Sequence, residues 1–124
     1  GNDTLTVGRI DEIELSGSFF DYTEKYTLKS SKIYMPARVD CETEKRIQET
    51  AKVIYKVLGC SGYARVDMFY TSSGEIIFNE VNTIPGFTTH SRYPNMMKGI
   101  GLSFTEVLDK LISLYLNWDS KDEL

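Results

Sequence analysis

One predicted β-hairpin constrains the fold of this chain more than any other feature of its sequence. Residues 63–70 and 76–82 are two largely apolar segments, and a short polar stretch with Ser73 and Gly74 separates them. This pattern is typical of two antiparallel strands joined by a tight turn. Ser73 and Gly74 favour a two-residue turn, which would set the register of the two strands.

Four polar side chains fall on one face of this hairpin. Side chains alternate along a strand, so Arg65 and Asp67 share a face, as do Glu80 and Asn82. The predicted turn pairs Asp67 with Glu80, at the roughly 4.5–5.5 Å typical of opposed Cβ atoms. Two carboxylates this close repel each other unless a cation lies between them. Hard oxygen ligands of this kind select Mg²⁺ or Mn²⁺. The alternative is an ordinary solvated face of a sheet.

Composition limits the classes of protein to consider. The chain has 124 residues, enough for one domain with a modest core. Its formal net charge of −4 gives no reason to expect nucleic acid or an anionic membrane as a partner. No apolar run reaches the roughly 18 residues of a transmembrane helix. Cys41 and Cys60 are expected to be reduced, although a disulfide between them stays open.

Helical segments alternate with strands along the rest of the chain. Apolar spacing predicts a helix over about 41–58, and Ser103 with Glu106 forms a capping box that starts a last helix. Residues 4–15 alternate irregularly and predict one or two strands, whereas 16–34 predict a long aromatic loop. The mixture indicates an α+β lobe, a sheet with helices packed on one face.

Three motifs carry a resemblance to a known family. Arg65-Val-Asp67, then the segment 79–87 (Asn-Glu-Val-Asn-Thr-Ile-Pro-Gly-Phe), then His90-Ser-Arg-Tyr-Pro94, resemble the C-terminal part of a D-alanine–D-alanine ligase, a member of the ATP-grasp superfamily. Among these ligases the sequence is most similar to the D-alanine–D-serine ligases of vancomycin resistance. The resemblance implies the C-terminal lobe of an ATP-grasp domain over 1–124, mainly antiparallel sheet, with a lid-like loop at about 16–34. Two upstream parts of such ligases are missing, which predicts that the chain is a fragment.

The resemblance also implies the ligands of a nucleotide and its metals. Asp67 and Glu80 would hold one Mg²⁺ or Mn²⁺, and Glu80 and Asn82 a second. ATP would be contacted by Phe19, Lys25, Phe69, Asn79 and Glu80. Two bridging cations are needed because the phosphates must approach a carboxylate substrate.

The remaining implied residues act on the two amino acids. Arg65 and the Gly86 N–H would stabilise the oxyanion, and Ser91 would bind the carboxylate of the second amino acid. Residues that would contact substrates are Tyr26, Arg65, Gly86, Ser91 and Arg92. Arg92 favours D-serine, because a guanidinium donates hydrogen bonds to a hydroxyl whereas the usual Leu or Met cannot. The plainer alternatives are an Arg65–Glu80 ion pair, a turn glycine and a surface arginine.

The function implied is ATP-dependent joining of D-alanine to D-serine, or to a second D-alanine, through an acyl phosphate. The product would serve peptidoglycan synthesis in a bacterial cytoplasm, with only small molecules as partners. Two other classes stay open: a non-catalytic lobe that associates with itself through exposed sheet edges, and a Mg²⁺-dependent phosphotransferase lobe with another acceptor.

Overall fold

The strands of the chain form two small antiparallel sheets, and three helices accompany them. A computed structural model describes residues 1–14 and 32–119, with side chains described through residue 117. In chain order the elements are β1 (Glu12–Glu14), β2 (Lys32–Tyr34), α1 (Cys41–Val57), β3 (Arg65–Tyr70), β4 (Ile76–Asn82), α2 (Arg92–Lys98) and α3 (Phe104–Asp119). One sheet pairs β1 with β2 and the other pairs β3 with β4. The predicted α+β class is confirmed.

Helix α1 begins and ends where its sequence predicts. The Asp40 carboxylate accepts a hydrogen bond from Thr43 N at 2.7 Å, which satisfies a donor at the helix start. At the other end Gly59 has φ +65°, and Cys60 N donates to Tyr55 O at 3.0 Å. Glycine adopts this left-handed conformation without steric cost, so it terminates the helix and directs the chain into the hairpin.

The β3–β4 hairpin has the predicted inner pairs but a different turn. Thr71 N donates to Glu75 O and Gly74 N donates to Thr71 O, both at 3.0 Å, and Gly74 has φ +85°. These bonds define a three-residue loop with a left-handed glycine, so the prediction of a two-residue turn was wrong. The register then shifts between Asp67 and Met68, where a bulge adds Asn79 to β4. The bulge restores the predicted partners.

Helix α3 has the predicted start but a less buried apolar face. Ser103 N donates to Glu106 Oε2 at 2.7 Å and Glu106 N donates to Ser103 Oγ at 3.2 Å, which confirms the capping box. Val107 is buried, whereas Leu108 is 38% exposed and Tyr115 69%. The apolar face of α3 is thus only partly covered by the described residues. None of the helices they form is long and apolar enough to cross a membrane.

The N-terminal residues lie in an extended segment fastened to α1 and α2. The Arg9 guanidinium pairs with Glu44 on α1 at 2.7 Å, and Arg9 N donates to Met96 O on α2 at 3.0 Å. Within residues 1–14 only Glu12–Glu14 pair as a strand, fewer than the sequence predicts for 4–15. The segment positions the residues just before β1 beside the start of α2.

Candidate active site

The four polar residues of the hairpin are opposed as the sequence predicts. Asp67 on β3 lies opposite Glu80 on β4, and Arg65 lies opposite Asn82. The extra residue at Asn79 interrupts the regular alternation next to Glu80, so the bulge shapes the strand at the proposed metal ligands. The hairpin therefore brings two carboxylates and an amide to one place, which is a donor set suited to Mg²⁺.

Arg65 and Asp67 form a bidentate ion pair on a single strand. Arg65 Nε lies 2.8 Å from Asp67 Oδ1, and Nη2 lies 2.9 Å from Oδ2. Both side chains are less than a third exposed, so water screens the pair incompletely. A metal held by Asp67 would have to share or replace these bonds. Asp67 is thus a partner of Arg65 that the sequence did not indicate, since the alternative named there was an Arg65–Glu80 ion pair.

Asn82 is oriented by the backbone that follows it. Its Oδ1 accepts a hydrogen bond from Ile84 N at 3.1 Å, which is an Asx-type turn at the end of β4. The carbonyl oxygen keeps a second lone pair for a ligand. Within the described residues no group of three His, Cys, Asp or Glu side chains gathers, so a metal here needs an amide such as Asn82 in addition to the acids.

The loop after β4 places Ser91 beside Gly86. Ser91 Oγ accepts a hydrogen bond from Thr88 N at 2.9 Å and lies 2.8 Å from Thr88 Oγ1. A Cβ built on Gly86 would lie 2.9 Å from Ser91 Oγ. A side chain at position 86 would therefore displace the Ser91 hydroxyl. The structure brings together these two predicted site residues.

An aromatic cluster packs at the end of this loop and the start of α2. The ring centroid of Tyr93 lies 5.2 Å from that of Tyr63 and 6.0 Å from that of Phe87, which in turn lies 4.6 Å from Phe104. Burial raises the pKa of Tyr93 to about 12, with a smaller contribution from Tyr63. Tyr93 is therefore neutral at physiological pH, and its role is to pack the start of α2 against the hairpin.

Arg92 forms an ion pair with a residue that the sequence did not indicate. Its Nε donates to Asp11 Oδ2, and the Asp11 side chain is 6% exposed whereas that of Arg92 is 22% exposed. In the described part of the chain no donor reaches the buried Asp11 Oδ1. Asp11 and Arg92 are 81 positions apart, and Asp11 precedes β1 with no local motif, so only the folded chain could identify it.

One cleft of about 460 Å³ connects the hairpin with Arg92. Residues from both regions line it, together with part of the segment around Ala37: among them are Asp11, Arg38, Arg65, Asp67, Phe69, Asn79 and Arg92. Phe69 is 47% exposed, which leaves its ring available to a flat ligand.

His90 is exposed, next to Ser91 in the chain. Phe19, Lys25 and Tyr26 lie outside the described residues.

Known proteins share this fold and sequence over nearly the whole chain. A crystal structure of the VanG D-Ala:D-Ser ligase from Enterococcus faecalis superimposes with a TM-score of 0.82 and 81% identity, covering 93% of this chain and 34% of that one. A D-alanine–D-alanine ligase from Bacillus anthracis, solved with ATP, superimposes with a TM-score of 0.73 and 31% identity, covering 93% of this chain and 37% of that one. The fold is thus that of an ATP-grasp ligase lobe.

The family follows from the sequence comparison. The family described as "D-ala D-ala ligase C-terminus" matches residues 1–113, and the chain belongs to it. Vancomycin C-type resistance protein VanC2 of Enterococcus casseliflavus is 52% identical over 114 residues, which cover 92% of this chain and 33% of that protein. A D-alanine–D-alanine ligase of Chlorobium luteolum is 44% identical over 115 residues, 92% of this chain and 32% of that protein. The chain spans about a third of the length of these relatives.

Proposed function

We propose that the chain is the C-terminal catalytic part of an ATP-dependent ligase that joins D-alanine to D-serine for peptidoglycan precursors. Membership of the ligase family supports the reaction class. The observation that carries the choice of D-serine is the Arg92–Asp11 ion pair one residue after Ser91. The pair fixes the Arg92 guanidinium directly after Ser91 in the chain, and a guanidinium is a suitable polar partner for a serine hydroxyl at the acceptor subsite that we propose there. The relative solved as a D-Ala:D-Ser ligase agrees with this choice.

The proposed roles at the hairpin follow from charge. Asp67, Glu80 and Asn82 would hold two Mg²⁺ ions, which when bound neutralise phosphate oxygens and favour phosphoryl transfer to a carboxylate. Glu80 would serve both ions. Arg65 would leave Asp67 to face the developing negative charge, for which its planar fork is suited because it stays charged.

The proposed roles at the loop complete the peptide-forming step. Ser91 would bind the carboxylate of the second amino acid, so that its amine faces the activated carbonyl of D-alanine. Arg92 would donate to the D-serine hydroxyl. The Gly86 N–H, with Arg65, would hold the oxyanion of the tetrahedral intermediate, and position 86 must lack a side chain because a Cβ would meet Ser91 Oγ at 2.9 Å. We place this chemistry in the bacterial cytoplasm and propose a link to vancomycin resistance.

The test is synthesis of dipeptide from ATP, Mg²⁺, D-alanine and D-serine. The whole ligase, meaning this chain together with the upstream two-thirds found in its relatives, is expected to release phosphate and form D-Ala-D-Ser in equal amounts. The 124-residue chain alone is expected to show little activity, because it holds only a third of a family ligase. The proposal fails if the whole ligase forms no dipeptide, or forms it equally well with Glu80→Gln.

A second candidate is a lobe that associates with itself, and exposed apolar side chains favour it. Val57 on α1 is 78% exposed, and Ile112 and Leu116 on α3 are 56% and 64% exposed. Within residues 1–14 and 32–119, neither two-stranded sheet pairs with a further strand, and unpaired strand edges can pair with another chain. Light scattering of the isolated chain over a hundredfold range of concentration tests this candidate. A constant monomer mass would exclude it.

A further inference from the structure

The Ser91 hydroxyl is bonded to Thr88 and not to the helix that it precedes. Ser91 is the N-cap residue of α2, yet its side chain makes no capping hydrogen bond to that helix. A serine at this position ordinarily accepts a hydrogen bond from an amide in the first turn. Here the hydroxyl points back along the loop, where Thr88 supplies both a backbone N–H at 2.9 Å and a hydroxyl at 2.8 Å.

The hydrogen-bonding capacity of a hydroxyl determines what this arrangement can do. Ser91 Oγ has one proton to donate and two lone pairs that accept. The Thr88 N–H occupies one lone pair. The hydroxyl-to-hydroxyl bond can run in either direction. A carboxylate in front of Ser91 selects the direction in which Thr88 donates, because the Ser91 proton is then given to the anion.

We infer that Thr88 is a positioning residue that makes Ser91 a hydrogen-bond donor to the carboxylate of the second amino acid. The inference rests on the proposed function, which assigns the carboxylate to Ser91. With both lone pairs of Ser91 filled by Thr88, the only remaining interaction of that hydroxyl is donation. Chained hydrogen bonds of this kind also polarise one another, which strengthens the last donor.

The surroundings of Thr88 agree with a role beyond packing. Thr88 is exposed, so its methyl group contributes little to the core. The Ser91 hydroxyl occupies the space above Gly86, at 2.9 Å from where a Cβ would be. Thr88 thus holds the Ser91 hydroxyl against Gly86, the residue whose N–H is proposed to act on the oxyanion.

The experiment removes only the Thr88 hydroxyl, in the whole ligase. Thr88→Val keeps the shape and the backbone N–H, and we expect the KM for the second amino acid to rise roughly 3- to 10-fold with little change in kcat. Thr88→Ser restores the hydroxyl and is expected to return KM to the wild-type value. Thr89→Val is the matched control, since Thr89 is an exposed neighbour whose hydroxyl makes no hydrogen bond among the described residues.

A double-mutant cycle separates positioning from a general effect on the loop. In the Ser91→Ala background, Thr88→Val is expected to add nothing, because Thr88 acts through the Ser91 hydroxyl. An equal loss in both backgrounds would overturn the inference, as would an unchanged KM in Thr88→Val.

Direct binding keeps this test distinct from a test of the proposed function. The dissociation constant of D-serine, measured by calorimetry, is expected to follow the same order: wild type and Thr88→Ser tightest, Thr88→Val weaker, Ser91→Ala weakest. If the whole ligase makes dipeptide but Thr88→Val leaves the dissociation constant of D-serine unchanged, the inference about Thr88 is overturned and the proposed function stands. Binding in that order without dipeptide synthesis would contradict the proposed function and support the role of Thr88.

Discussion

Around Arg92 and Ser91, residues outside the proposed ligand set hold the proposed substrate contacts. Around Asp67, in contrast, two members of the proposed set bind each other. Asp11 holds Arg92, and Thr88 holds Ser91. By contrast, both oxygens of Asp67 accept from Arg65. The residues proposed to contact the second amino acid (the acceptor end) are thus already held in place by neighbours. At the proposed metal site (the metal end), Asp67 would have to exchange partners first.

The two ion pairs differ in what they leave available to a ligand. The Asp11–Arg92 pair leaves guanidinium N–H groups of Arg92 beyond the Nε–H for a ligand, since an arginine has five donors and the pair is made through Nε. The Arg65–Asp67 pair instead neutralises the site where a cation would bind. Asp67 and Glu80 are directly opposed, so their carboxylates would repel each other. In the absence of a metal, the positive charge of Arg65 reduces this repulsion.

The largest expected effect is at the metal end. Glu80→Gln in the whole ligase removes the one carboxylate proposed to serve both ions, and we expect kcat to fall about 10²- to 10³-fold. Steady-state phosphate release measures the change. The glutamine keeps the size of the side chain and one acceptor oxygen, so the thermal stability of the variant is expected to stay near that of the wild type. Full activity in this variant would remove Glu80 from the metal set.

The next effect in size is a steric one at the acceptor end. Gly86→Ala places a Cβ 2.9 Å from Ser91 Oγ, so the hydroxyl must turn away from Thr88. We expect kcat/KM for the second amino acid to fall about tenfold or more. In the Ser91→Ala background the same glycine substitution is expected to cost much less. Equal losses in both backgrounds would show that crowding at Ser91 is not the cause.

The choice between D-serine and D-alanine as second amino acid tests the proposed role of Arg92 and of its ion pair with Asp11. Arg92→Leu is expected to lower the ratio of D-Ala-D-Ser to D-Ala-D-Ala by roughly tenfold, because the serine hydroxyl loses its donor. Asp11→Asn is expected to lower the same ratio, since it frees the guanidinium from its buried anchor. Product analysis from an equimolar mixture measures both, and Lys52→Leu, at the exposed Lys52–Glu49 ion pair on α1, serves as the control. An unchanged ratio in Arg92→Leu would end the D-serine proposal.

The smallest effect is expected far from both ends. Ser103→Ala removes the N-cap of α3, whose Oγ accepts from Glu106 N at 3.2 Å. We expect the free energy of unfolding to fall by about 1 kcal/mol, with the product ratio and the KM values unchanged. Urea denaturation measures the loss. A shift in KM would show that α3 influences the site, contrary to this expectation.

Local patterns predicted the elements of this chain and long-range contacts did not follow from them. Asp40, Ser103 and Glu106 act within one helical turn, so their caps were predictable. The pairing of Asp67 with Glu80 was also predicted, but for an incomplete reason: the loop is one residue longer than the predicted turn, and the bulge at Asn79 compensates. A loop of three residues with a bulge and a loop of two without one give the same inner pairs.

The contact that most shapes the acceptor end had no local indication. Asp11 lies in an irregular stretch before β1, and nothing near it in the sequence marks a partner for Arg92. Similarly, the sequence indicated Glu80 as the alternative partner of Arg65, whereas the bidentate bonds of Arg65 to Asp67 run along a single strand. The roles of Phe19, Lys25 and Tyr26 stay predictions.

The central claim is that Arg65, by binding both oxygens of Asp67, competes with a metal ion for that carboxylate. The most direct test compares the Mn²⁺ affinity of the wild-type whole ligase with that of its Arg65→Gln variant. Electron paramagnetic resonance measures free Mn²⁺ without any need for turnover. Arg9→Gln is the matched control, because Arg9 also makes a bidentate ion pair, with Glu44, and lies outside the hairpin. The account predicts that Arg65→Gln binds Mn²⁺ about 2- to 5-fold more tightly than the wild type, while kcat falls. Equal or weaker Mn²⁺ binding in Arg65→Gln would contradict it.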